Sequence, residues 1–192
     1  ASTLAIRYPD DKRVVELYAG HLIASGELEQ ALALYKSHLA DQPPAEEYFR
    51  AVIDIESYLQ HPDSVDKYVT RALELFPAKV DFHLSKGHVM SNSKQYVKAI
   101  AYKGALRHAD TDSLRSVIWG MIGDAWHQKA EAGEPNLEER LPLQMGLLGK
   151  KGIARKAMKE CYKAYERSLR YWPDNTMVLN NYAYFLSLEE RD

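Results

Sequence analysis

The chain has 192 residues, 46% of them apolar and 27% charged, with 25 Lys and Arg against 27 Asp and Glu. That composition excludes a disordered chain, and a net charge of -2 leaves no general basic excess to displace counterions from nucleic acid. The single cysteine, Cys161, excludes an intrachain disulfide framework and a cysteine-based zinc site. No window of about 18 apolar residues occurs, so no membrane insertion is expected.

The eight prolines organise the chain. Pro9, Pro43 and Pro77 stand 34 residues apart, and Pro173 closes a fourth, similar phrase, Tyr171-Trp172-Pro173-Asp174-Asn175. Proline lacks an N–H and disfavours helix in the residue before it, so each of these ends one helix and makes room for the next. Between them, apolar residues recur at helical spacing. Val14, Val15, Leu17, Tyr18, Leu22 and Ile23 form a first face, Gly26-Glu27 breaks it, and Leu28, Ala31, Leu32, Leu34, Tyr35 and Leu39 form a second. The next pair runs 46–59 and 64–76 with His61-Pro62-Asp63 as the turn. The third runs 80–90 and 95–106 around Ser91-Asn92-Ser93, and the fourth extends from about Leu114 to Tyr171. A lone helix, 176–188, follows, and no alternating strand pattern occurs anywhere.

A period of 34 is a mark of stacked helix-turn-helix units. The fourth unit reads Trp119-x2-Ile122-Gly123-x2-Trp126, then Cys161-x3-Tyr165 and Pro173. The first reads Val15-x2-Tyr18-Ala19-x2-Leu22, then Ala31-x3-Tyr35 and Pro43. The third has Gly87, Met90 and Ala99, with Lys103 where an aromatic belongs. The second has Ile53 at the small position and Val65-x3-Val69 before Ala72 and Pro77. The final helix has Leu179-x2-Tyr182-Ala183-x2-Leu186. This phrase resembles the tetratricopeptide repeat (TPR) family, and over nearly the whole chain. The resemblance implies an all-α, right-handed α-solenoid of about four TPR pairs plus a final single helix. Its boundaries are 12–45, 46–79, 80–112, 113–175 and 176–192, with 1–11 as a cap or the tail of a preceding repeat. Small residues, Ala19 against Ala31 and Gly87 against Ala99, are expected to let paired helices approach closely.

The fourth unit carries an insertion at about 131–152: Gly123 to Cys161 spans 38 residues where Ala19 to Ala31 spans 12. Asn136 is placed to cap a short helix, with Glu138 and Glu139 in its first turn. Leu141, Leu143, Met145 and Leu147 are too apolar for a free loop. They are expected to pack on the array and shape one wall of a groove, or to cover an edge.

Nothing in the sequence points to catalysis. No His-Glu-x-x-His or other metal-ligand spacing is present, so no metal or cofactor is expected. The run 146–152 lacks the glycine spacing and the Ser or Thr of a phosphate loop. Cys161 stands at a small core position, where a thiol packs rather than attacks.

In TPR proteins the first helix of each pair lines a concave groove. Carried over residue by residue, the resemblance implies a partner-binding groove of Arg13 in the first unit, Arg50, Asp54 and Tyr58 in the second, His88 and Asn92 in the third, Asp124 and His127 in the fourth, and Asn180 and Tyr184 in the final helix. The positions that clamp a carboxylate in chaperone-binding relatives hold Glu16, Gly20, Ala51, Asp81 and Ser85, which argues against that role. The expected function is a non-catalytic scaffold for a protein or peptide; the alternative is the recognition part of a larger enzyme or signalling protein. Acids at Glu16, Glu47, Asp54, Asp81 and Asp124 speak against nucleic acid. Self-association through the terminal helices is left open. A start without methionine is expected of a chain from which a segment was removed or of a piece of a longer chain, and an end on an unbroken helical pattern of the latter. The last helix resembles bacterial TPR proteins, which leaves both cytoplasm and periplasm open.

Overall fold

The structure, a computed structural model, describes residues 6–189 except Gln42, 90–94 and Glu134, and for 95–100 and 189 the backbone alone. Two compact units divide the chain at Pro77.

The first unit holds α1 (Lys12–Ala24), α2 (Leu28–Ser37), α3 (Glu46–Tyr58) and α4 (Pro62–Leu75). Asp11 starts α1 by accepting from the Arg13 N–H at 2.9 Å. Gly26, at φ +80°, makes the reversal into α2, a backbone position that disfavours any side chain. Pro62 opens α4 at its first turn, where the missing N–H costs nothing. Ala19 and Ala31 are fully buried, and Val15, Leu22, Leu32, Tyr35, Tyr48 and Val52 close around them. In the α3/α4 pair Ile53 takes the small position and Val69 the aromatic one, and both are buried. Bulk has moved from one helix to the other, which core packing tolerates when total volume is kept.

One carboxylate joins three helices of this unit. Glu56 on α3 accepts from Lys36 of α2 and Ser64 of α4, and the His61 Nδ1 lies 2.8 Å away. Burial alone would raise the Glu56 carboxyl, but Lys36, Ser64 and His61 outweigh it and hold the group at about 2.

The second unit holds α5 (Val80–Val89), α6 (Gln95–Leu106), α7 (Asp112–Ala132), α8 (Leu137–Gln144), α9 (Lys150–Tyr171) and α10 (Thr176–Glu189). Two glycines govern its packing. A Cβ on Gly87 would lie 2.2 Å from the Tyr102 ring, and one on Gly123 would lie 2.4 Å from the Tyr165 ring. Each tyrosine thus lies against bare backbone of the facing helix. The ring that meets Gly87 comes from Tyr102, one residue before the place where the repeat phrase has Lys103, and Lys103 itself is exposed. Ala99, expected opposite Gly87, lies outside the described side chains.

Below the Gly123–Tyr165 contact is a buried polar knot. The hydroxyls of Ser116 (α7) and Ser168 (α9) lie 2.9 Å apart, and the Asn175 amide donates to Ser116 Oγ at 3.0 Å. The Asn175 side chain also accepts from the Val178 N–H and so caps α10. Gly120 lets Val178 in: a Cβ there would stand 2.8 Å from the valine methyl. α10 is thereby seated on α7 and α9, with Tyr182 and Phe185 against Tyr165.

Two outcomes follow. Gly123→Ala should lower stability by about 1–3 kcal/mol despite alanine's better helix propensity. Gly20→Ala, in α1 with nothing within 4 Å of the new methyl, should raise stability by up to about 1 kcal/mol. Thermal or denaturant unfolding reads both. The folded Glu56 carboxyl sits below its ordinary value of 4.5, so its contribution is complete above that value and is lost as pH falls toward about 2. Unfolding followed from about pH 5 downward should show this loss, and Glu56→Gln should flatten it. At neutral pH Glu56→Gln should cost about 1–3 kcal/mol.

Candidate functional site

The proposed groove residues fall into different environments. In the first unit, the C-terminal ends of α1 and α3 and the start of α2 enclose a cleft of about 540 Å³. Ile23, Leu28, Ala51 and Ile55 make it mainly apolar, and Asp54 and Tyr58 line it too. Ile23 is exposed, and Tyr58, at 76% exposure, is largely surrounded by solvent. A large ring held so far out gains nothing from the fold. Asp54 and Tyr58 are therefore brought together here. Arg13 and Arg50 do not line this cleft: Arg13 doubles back on Asp11, and Arg50 pairs with Glu46 at 2.7 Å.

In the second unit His127 lies flat on Phe185, ring centroids 3.7 Å apart, with its Nδ1 3.6 Å from Glu131. The stacked pair lines a cleft of about 780 Å³ with Met158, Arg155 and Leu188. Tyr184 projects beside it, 60% exposed and tilted against Phe185, and Asn180 is exposed on the same helix. Asp124 is used internally, accepting from the Tyr165 hydroxyl and from Asn181. Burial first, then the hydrogen bond to Asp124 and its charge, push the Tyr165 phenol well above its ordinary range, so it stays a donor. His88 is exposed, with its Nδ1 2.9 Å from the Leu84 carbonyl. Asn92 lies outside the described residues.

The insertion differs from the expected packing. Asn136 caps α8 and Glu139 reaches back to the Asn136 N–H, a reciprocal capping box. The Glu139 carboxylate also takes Lys129 of α7 at 2.8 Å, with the two side chains only 9% and 1% exposed. The Lys129 ammonium sits 5.4 Å from the centre of the Trp126 ring as well. This polar contact anchors α8. Positions two residues from Glu139 lie about 200° round the helix, so they turn outward. Leu137 and Leu141 are accordingly 70% and 63% exposed; Met145 and Leu147, past the end of α8, are 63% and 75% exposed, while Leu143 and Leu148 are half-buried. The expected packing of Leu141 and Leu147 on the array is thus corrected. The Asn136-x2-Glu139 spacing was a signal for the start of α8; its orientation depends on Lys129, for which the sequence gave no signal.

Among the described residues no three His, Cys, Asp or Glu side chains gather as a metal ion would need. Burial pushes the Cys161 thiol up to about 12, the reverse of a nucleophile. No described helix is long and apolar enough to cross a membrane.

These helix pairs make an all-α helical-repeat fold. Two solved structures of MamA superimpose on the chain at a TM-score of 0.58, with 15% and 14% identity, over 88% and 89% of this chain and 87% and 82% of theirs. YrrB, described as a TPR protein with an unusual peptide-binding site, superimposes at 0.51 with 14% identity over 95% of this chain and 97% of its own. No protein-family model matches the chain, and no curated protein matches it in sequence. The fold is of the TPR type.

Glu139→Ala should leave Lys129 buried without its partner and cost about 3–5 kcal/mol. The double change Leu141→Ser, Leu147→Ser should stay within about 0.5 kcal/mol of the parent, since both side chains are already in water. Denaturant unfolding of the three proteins separates the two cases.

Proposed function

We infer that the chain is a non-catalytic scaffold that takes a peptide or a partner helix against the first helices of its pairs. The observation that carries this reading is the cleft at the ends of α1 and α3, where Ile23 and Tyr58 stay in solvent beside Asp54. Its apolar floor and single acid suit a segment that offers one or two apolar anchors and a donor for the carboxylate. Buried aromatic anchors supply much of the energy of such contacts, so Tyr58 is the residue expected to matter most. The fold supports the reading through YrrB, described as having a peptide-binding site. In the second unit, the cleft beside His127 and Phe185, with Tyr184 at its edge, is the corresponding candidate surface.

The test is selection of binding peptides from a random displayed library on the full chain, followed by affinity measurement on variants. Tyr58→Ala and Ile23→Asp should each weaken the selected peptides by about tenfold or more. Peptides that bind both variants as tightly as the parent would refute the assignment of the cleft.

A further inference from the structure

The charge of this protein is unevenly placed. Of its 25 Lys and Arg, eight sit on α9, whereas of its 27 Asp and Glu only Glu160 and Glu166 do. A helix of net +6 therefore lies within a chain of net -2. The buried side of α9 consists of Ile153, Ala157, Cys161, Ala164, Tyr165 and Ser168. On the opposite side Lys156, Lys159, Lys163 and Arg170 follow one another at intervals of three, four and seven residues. They form one exposed line about 21 Å long.

Little of that charge is neutralised within the fold. Lys163 pairs with Glu160 at 2.6 Å. Arg167 lies over the Trp119 ring, its guanidinium carbon 4.7 Å from the centre. The side chains of Arg155, Lys156, Lys159 and Arg170 make no hydrogen bond or ion pair with any described residue. The Glu139 carboxylate, which feels Lys156 at longer range, is already taken by Lys129.

Beside this line lies part of the insertion. A cleft of about 660 Å³ opens between α8 and α9, with Pro142, Leu147 and Leu148 on the insertion side and Lys156, Lys159 and Lys163 on the α9 side. An apolar wall of this kind is costly to leave in water, and an unpaired row of cations favours an anionic partner.

We propose that the α8–α9 cleft is a second docking site, and that its occupant is an acidic amphipathic segment of a partner protein, with leucine-like side chains against Leu147 and Leu148 and carboxylates against Lys156 and Lys159. The carboxylates replace the counterions of an uncompensated cationic row, and the apolar side chains cover Leu147, which the fold leaves exposed, and the half-buried Leu148 beside it. A protein segment fits this site better than an anionic membrane does. The apolar and cationic residues line one recessed cleft, and Glu138 and Glu160 also line it, where they oppose a uniformly anionic surface. The site does not depend on the groove reading, because none of its residues lines the cleft at Tyr58.

The test uses a designed helical peptide of about 16 residues, with leucines along one face and glutamates elsewhere, labelled for fluorescence anisotropy and titrated with the full chain. Its controls are the same peptide with lysine for every glutamate and the same peptide with serine for every leucine. The acidic amphipathic peptide should bind about tenfold or more tightly than either control, and binding should weaken several-fold as salt rises from about 50 to about 300 mM. Lys156→Glu with Lys159→Glu should abolish the preference for the acidic peptide. The neutral pair Lys156→Gln, Lys159→Gln should weaken it about three- to tenfold, and Leu147→Ser should weaken it too. Tyr58→Ala should leave it unchanged. These side chains are exposed, so melting temperatures matching the parent's establish that the variants fold. Equal binding of acidic and basic peptides, no binding of the acidic peptide, or full binding to the Lys156→Glu, Lys159→Glu variant overturns the proposal. So does binding to phosphatidylglycerol vesicles without binding to the acidic peptide.

Discussion

The contact on which the second unit depends is a tyrosine ring laid against a glycine. Tyr165 of α9 occupies the space that a side chain on Gly123 of α7 would fill, and Tyr102 of α6 does the same at Gly87 of α5. The absence of a Cβ sets how closely the two backbones approach, and the ring sets their register. Much else follows from the position of Tyr165. Its hydroxyl donates to Asp124, which also accepts from Asn181 of α10. Its ring supports Tyr182 and Phe185, and Phe185 in turn carries His127. The surface around His127 and Tyr184 is therefore held by a chain of packed rings that begins at a missing methyl group.

Polar contacts do the remaining positioning, each between residues that local sequence does not relate. Glu56 ties α2, α3 and α4 together through Lys36 and Ser64. Ser116, Ser168 and Asn175 seat the start of α10. Lys129 and Glu139 hold the insertion by its acidic side. Buried polar groups fix orientation because the alternative orientations leave them unsatisfied. In the insertion that contact is made while Leu137, Leu141 and Leu147 stay in solvent. Leu147 is left exposed in a cleft shared with an uncompensated row of lysines.

Where structure follows from periodic packing, the sequence is legible. The prolines, the small residues at Ala19, Gly87 and Gly123 and the aromatic partners at Tyr35 and Tyr165 mark the helix pairs, because each repeats a local steric need. The exception at Tyr102 is a shift of one residue inside an intact pair. The candidate surfaces were less legible. Asp54 and Tyr58 come together because both follow the same helical face. Arg13 and Arg50 are taken up by neighbouring acids, and Asp124 by Tyr165, none of which a position-by-position carry-over can foresee. Apolar density in the insertion pointed inward, yet the contact of Glu139 with Lys129 fixed which side of α8 faces the array. Global charge hid the most polarised element: a net of -2 conceals a helix of +6.

The central claim, that ring-on-glycine packing organises the fold, is tested most directly by a double-mutant cycle between Gly123 and Tyr165. Alone, Gly123→Ala removes the space the ring needs. In a Tyr165→Leu background, where no ring is present, the same alanine should cost little or should stabilise α7. The account predicts a coupling of at least about 1 kcal/mol between the two changes, measured by denaturant unfolding. Strict additivity, with Gly123→Ala costing the same in both backgrounds, would contradict it.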